Sequence, residues 1–161
     1  MAGQGPNNYG SRGYNGGRRD FNNNNRNFQR RSDAPAKPHV ALDAGTYVDT
    51  AEAVITALKD GGGLLTTSKI RNLLSMISSL YDEVRRARAP KLSREEQERI
   101  QYIRLHFAYE AGRDGKVKAF VREADILAHI GDIGDDKKRF LLFCNYMEAL
   151  VAYHRFNDGK E

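Results

Sequence analysis

Along most of the chain after about residue 46, apolar residues recur at intervals of three and four, the spacing of a helix that buries one side. The longest such pattern opens at Thr66-Thr67-Ser68 and runs to about Arg88. Ile70, Leu73, Leu74, Ile77, Leu80, Tyr81 and Val84 hold the interval without a gap, Lys69, Arg71, Asn72, Ser75, Ser78 and Ser79 lie off the stripe, and Pro90 closes it. Ser93-Arg94-Glu95-Glu96 has the form of a capping box, in which the Ser hydroxyl and the Glu carboxylate satisfy each other's free backbone N–H groups. It predicts a helix to Ala111 with Gly112 as its C-cap. The stripe there is Ile100, Ile103, Phe107 and Ala111, widened by Tyr102, Leu105 and Tyr109. Past the Asp114-Gly115 turn, Val117, Phe120, Val121, Ala124, Ile126, Leu127 and Ile130 predict a helix from about Lys116 to Ile130. Upstream, Thr46 to Lys59 predicts a shorter helix with Asp49 as N-cap, Glu52 three residues on, and Val54, Ile55 and Leu58 on its apolar side. Gly61-Gly62-Gly63 ends it; the triplet lacks the spacing and the Lys of a phosphate-binding loop and reads as a flexible connection.

The final stretch, Asp135–Phe156, has a different pattern. From Phe140 to Tyr153 only Asn145 and Glu148 interrupt apolar or small residues. A run of this length without Gly or Pro is too long for an ordinary strand and too short and interrupted to span a bilayer. Asp135 or Asp136 fits its N-cap, and Gly159 lies just past its end. Phe140, Phe143, Met147, Leu150 and Val151 fill one side, while Leu141, Leu142, Tyr146, Ala149 and Tyr153 reach around the others. A helix apolar on every side is buried on every side, so two or three others must pack against it. No segment alternates with period two. The expected fold is therefore all-α, a compact bundle of about five helices, occupying residues 39–161.

Residues 1–38 depart from this pattern. They are rich in Gly, Asn and Arg, with Tyr9, Tyr14, Phe21 and Phe28 spaced singly, and no aliphatic residue larger than Ala follows Met1 until Val40. Such a segment cannot bury enough surface to offset its ordering entropy, so a disordered basic tail is expected, ending in the Ala34-Pro35-Ala36-Lys37-Pro38 linker. Arg interleaved with aromatics over Gly is also the composition of weak single-strand RNA binders; a solubilising tail has the same composition. The formal net charge of +5 lies wholly here: seven Lys and Arg against two Asp, whereas residues 39–161 hold 19 basic and 19 acidic residues. An anion-binding role for the folded part must therefore rest on local clusters. The single cysteine, Cys144, sits in the apolar final helix as a small buried hydrophobe and makes no intrachain disulfide; with no signal peptide or membrane-spanning run, a cytoplasmic setting is expected. His39, His106, His129 and His154 show no metal-ligand spacing among themselves or with Cys144.

No HExxH, GxSxG or GxGxxG occurs, and no catalytic residue, cofactor or metal is expected. Glu148, inside the most apolar helix, is expected to be buried, either paired with an Arg or Tyr of another helix or, as the sharper alternative, acting as a general acid or base. The best local binding signal is Thr66-Thr67-Ser68-Lys69-Ile70-Arg71. A helix start offers free N–H groups and a positive dipole end, Lys69 and Arg71 add donors there, and no acid occurs between Asp60 and Asp82. A plain helix cap with solvated cations has the same sequence. A second basic stretch holds Arg99 and Arg104 in an acid-free window, then Arg113, Lys116, Lys118 and Arg122 around a turn.

The run LTTSKIRNLLSMISSLYDEVRR (65–86), LHFAYEAGR (105–113) and FLLFCNYMEALVAYHRF (140–156) resemble, in this order, the small subunit of type III-A CRISPR effector complexes, the Csm small-subunit family. The resemblance covers roughly 47–157 and leaves the Gly/Asn/Arg tail outside the family pattern. It implies an all-helical, non-catalytic protein. It implies that several copies stack along the complex, opposite the backbone subunits that hold the guide RNA and with a large polymerase-like subunit as partner, and that basic residues line the duplex of guide RNA and target RNA in antiviral defence. Lys69, Arg71 and Arg113 fall within the resembling runs; Lys116, Lys118 and Arg122 extend the RNA-binding set by charge alone. The competing class is a free-standing helical nucleic-acid-binding protein or RNA chaperone with an RGG-like tail.

Overall fold

The structure, a computed structural model, describes residues 37–157 together with Gly3 and Gly5. The expected disordered tail and the Gly159 helix end lie outside the described residues. All the helices belong to the unit that begins at Pro38.

They are, in order, α1 (Tyr47–Asp60), α2 (Thr67–Arg86), α3 (Arg94–Arg113), α4 (Gly115–Glu123), α5 (Ile126–Gly131) and α6 (Lys137–Phe156). No strand forms among the described residues, only an isolated antiparallel bridge between Lys91 and Asp136. The all-α architecture is as the periodicity predicts. α6 is its centre, packed by α1, α2 and α5, while α3 packs on α2, α4 and α5. Phe140, Phe143, Cys144, Tyr146, Met147, Leu150 and His154 of α6 are all buried. Their positions rotate around the axis, so no single neighbour could cover them.

The local signals explain the boundaries. The Thr66 hydroxyl accepts from Lys69 N–H, and the Ser93–Glu96 capping box is complete. The Asp136 carboxylate caps α6 by accepting from Lys138 and Arg139 N–H. At α1 the expectation was wrong. The N-cap is Thr46, without a side-chain cap bond, and Asp49 sits in the first turn. The glycine triplet is a helix terminator: Gly62 adopts φ 67°, and Gly63 N–H donates to Leu58 O at 2.8 Å, closing the end of α1.

Where one helix was expected from Lys116 to Ile130, there are two. Asp125 has φ 50°, the left-handed region that Asp tolerates better than most residues. The reason lies in the stripe. Val117, Phe120, Val121 and Ala124 follow the helical interval, but Ile126 comes only two residues later, about 200° around a continuous helix. The break resets the phase, so that Ala124 and Ile126 are 1% and 0% exposed. The Ala124 carbonyl, released at the break, accepts from the hydroxyl of buried Tyr146 on α6 at 3.2 Å. The end of α3 differs too: the helix runs through Gly112 to Arg113, and Asp114 caps it.

Other loops are tied to the bundle by polar contacts. His154, fully buried on α6, donates from Nε2 to Leu65 O at 2.7 Å and so holds the start of α2 against the central helix. Leu92 N–H donates to Asp135 O at 2.9 Å, and the Lys137 ammonium donates to Ala87 O, joining the α2–α3 and α5–α6 connections.

Two burial expectations fail. Tyr102, Leu105 and Tyr109 do not widen the core: they are 62%, 64% and 57% exposed on the outer side of α3. Glu148 is exposed, beside Tyr81 and Asp82 at the rim of α2. It needs no buried partner, which removes the ground for a role as a buried acid or base. Its neighbour Cys144 is buried, and burial first, then the Glu148 charge, pushes the thiol pKa up.

Adjacent residues of α6 should therefore respond oppositely. Met147→Ala should cost about 2–5 kcal/mol of unfolding free energy through the cavity it leaves. Glu148→Ala should stay within about 0.5 kcal/mol. Urea unfolding of both variants checks this, and a Glu148→Ala loss comparable to that of Met147→Ala would contradict the exposed placement.

Candidate nucleic-acid interface

The expected binding residues come from three elements. Lys69 lies in the first turn of α2 and Arg71 just beyond it, Arg113 ends α3, and Lys116, Lys118 and Arg122 lie on α4. Packing brings the start of α2 against the α3–α4 corner. There the Lys69 ammonium pairs with the Asp114 carboxylate. Asp114 ends α3 and caps α4, accepting from Lys116 N–H at 2.8 Å and Val117 N–H at 3.2 Å. The bond from Lys69, followed by these two backbone donors, holds the Asp114 carboxyl below the usual range. Sequence spacing shows no acid near Lys69; the fold supplies one from a residue 45 positions away.

This changes the geometry of the site. Residues two apart on a helix do not share a face, so Lys69 turns toward the corner and Arg71 elsewhere, exposed. The groove beside Lys69 is lined by Asn72, Met76, His106, Glu110 and Asp114, so carboxylates occupy it. Arg113, flanking the corner, is exposed; it lies 3.6 Å from Glu110 and 5.4 Å from the centre of the Tyr109 ring. Lys116, Lys118 and Arg122 are exposed, and Lys118 and Arg122, four apart, share one face of α4. The six residues thus form no pocket. Arg71, Arg113, Lys116, Lys118 and Arg122 are exposed on three helices, while Lys69 is paired with Asp114.

A second cluster was missed from the sequence. The His39 imidazole lies between two carboxylates, donating from Nδ1 to Asp125 and from Nε2 to Asp132 at 2.6 Å. These bonds, Asp125 first, raise its pKa above the ordinary histidine value. Its ring centre is 5.1 Å from that of His129, which is buried and has its pKa lowered by burial. Asp125, His129 and Asp132 recur at i, i+4 and i+7, a one-face signal that a search confined to histidines and the cysteine passes over.

Comparison with known proteins places the chain by class and then by family. The description "Csm2 Type III-A" matches residues 42–160. Two relatives are each named CRISPR system Cms protein Csm2. The chain is 42% identical to the one from Mycobacterium tuberculosis (strain CDC 1551 / Oshkosh) over 116 residues, 71% of this chain and 94% of that protein. It is 45% identical to the one from Streptococcus thermophilus over 118 residues, 71% of this chain and 93% of that protein. The chain belongs to the Csm2 type III-A family. This bears out the resemblance drawn from 65–86, 105–113 and 140–156.

The Lys69–Asp114 pair can be tested by pH. The depressed Asp114 carboxyl contributes stability that is present above the ordinary value of 3.8 and is lost as pH falls through its lower folded value. Asp114→Asn keeps a capping side chain but loses the charge. Urea midpoints should separate wild type from the variant near neutral pH, and the gap should close in strong acid; a gap independent of pH would contradict the pairing.

Proposed function

We propose that this chain is the non-catalytic, RNA-binding small subunit of a type III-A CRISPR ribonucleoprotein. Copies stack side by side along the duplex of guide and target RNA, opposite the backbone subunits, with the large polymerase-like subunit as a further partner. The observation that carries this reading is the set of exposed cations around the α3–α4 corner in a chain of this family. Arg71, Arg113, Lys116, Lys118 and Arg122 present charge without a base-reading pocket, which suits contact with phosphates and A-form shape. Lys69 joins them by exchanging Asp114 for a phosphate. Residues 39–161 have no net charge, so one copy alone binds weakly and affinity arises from several copies acting together.

The test is target-RNA affinity against salt concentration for complexes of matched subunit composition. Arg71→Ala with Arg113→Ala should weaken binding of all guided targets alike and lower the salt slope by about one unit for each lost contact. Sequence preference, set by base pairing, should not change. Equal affinities and slopes in wild type and variant would overturn the assignment of these residues. Elution of the chain alone, apart from any large ribonucleoprotein when the neighbouring subunits are co-expressed, would overturn the subunit role itself.

A further inference from the structure

The cluster at the α5 end of the bundle goes beyond RNA binding. We propose that His39, His129 and Asp132 form a structural binding site for a divalent transition-metal ion of the zinc type. Each offers one ligand atom, and the three atoms all lie within 4.8 Å of one another. Two imidazoles and a carboxylate with one open position for water make a donor set that zinc accepts in tetrahedral geometry. With bonds of about 2.0–2.1 Å, tetrahedral donors stand roughly 3.3 Å apart. The 2.6 Å contact between His39 Nε2 and Asp132 therefore has to open by about 0.7 Å, and donors as far apart as 4.8 Å have to close by about 1.5 Å.

Two further observations point to a ligand. His129 is only 6% exposed, and its Nδ1 is buried without a hydrogen-bond partner, a cost the fold otherwise leaves uncompensated. The remaining nitrogen of His39, Nδ1, already bonds to the Asp125 carboxylate. A carboxylate there fixes the tautomer and ring orientation and leaves Nε2 to face the ion, the arrangement of histidine metal sites. A cavity opens beside these residues, lined by His39, Leu42, His129, Asp132, Arg139 and Leu142, so an ion and a water can enter. Arg139 lies there too, but its guanidinium donates to the Asp132 carbonyl at 2.9 Å and leaves the carboxylate free. On binding, the ion replaces the Nε2 proton of His39, which passes to solvent. With Asp125 and Asp132 both ionised, the ion's two positive charges are balanced. The bound ion would clamp the segment around His39 onto α5.

The experiment uses the full chain, free of any affinity tag and stripped with chelator, titrated with Co2+ and then Zn2+. One Co2+ per chain should bind with the intense visible absorption of a four-coordinate site, and one Zn2+ should displace it. His39→Ala and Asp132→Asn, both on the surface, should each abolish the band. Asp125→Asn should keep the stoichiometry and weaken affinity by about 10–100-fold. Helical circular dichroism of each variant should match wild type, which keeps the loss specific to the site. Absence of the band in wild type, or its survival in His39→Ala, would overturn the proposal and leave the cluster as an ion-pair clasp. Neither result bears on RNA binding.

Discussion

Phe140, Phe143, Tyr146, Met147 and Leu150 project from α6 in several directions, and each is at most 1% exposed. Enclosing that helix is the constraint on which the other contacts depend. α1 and α2 cover two of its sides, and α5 closes part of a third. The short α5 exists because an unbroken fourth helix would turn Ile126 away from the core. Tyr146 then takes the carbonyl that the break exposes, so the central helix both requires the kink and satisfies it. His154 does the same for the α1–α2 connection through Leu65.

Helix existence was legible because burial here is one-sided for α1 to α4, and a one-sided helix writes its period into the chain. Ile70, Leu73, Ile77, Leu80 and Val84 are all buried as their spacing predicts. What failed was inference from residue type without a direction. Tyr102, Leu105 and Tyr109 are apolar but lie off the stripe of Ile100, Ile103 and Phe107, and the bundle has nothing to place over them. Glu148 sits in the most apolar segment, yet even a helix packed by several neighbours keeps a narrow seam to solvent, and the charge occupies it. The kink at Asp125 was visible as a slip in phase between Ala124 and Ile126, masked by the absence of Gly or Pro.

The binding residues were legible only as charges. Arg113 has a local partner in Glu110, but the partners of Lys69 and His39 come from remote positions: Asp114 for Lys69, and Asp125 and Asp132 for His39. Local sequence cannot supply such pairings, because the separation that matters is set by how helices cross. The geometry turns the expected phosphate site at the start of α2 into cations dispersed over three helices.

Asp114 has three duties: its backbone N–H donates to Glu110 O at the end of α3, and its carboxylate starts α4 and neutralises Lys69. Under the proposed RNA-binding role, an anion that takes Lys69 has to displace this resident carboxylate, which would make the lysine a threshold. A free phosphate or a nucleotide offers one contact and gains little over the internal partner. A polymer already held by neighbouring cations presents its next phosphate at high local concentration and can win the exchange. Under the proposed RNA-binding role, the corner would therefore favour a long polyanion over a small anion.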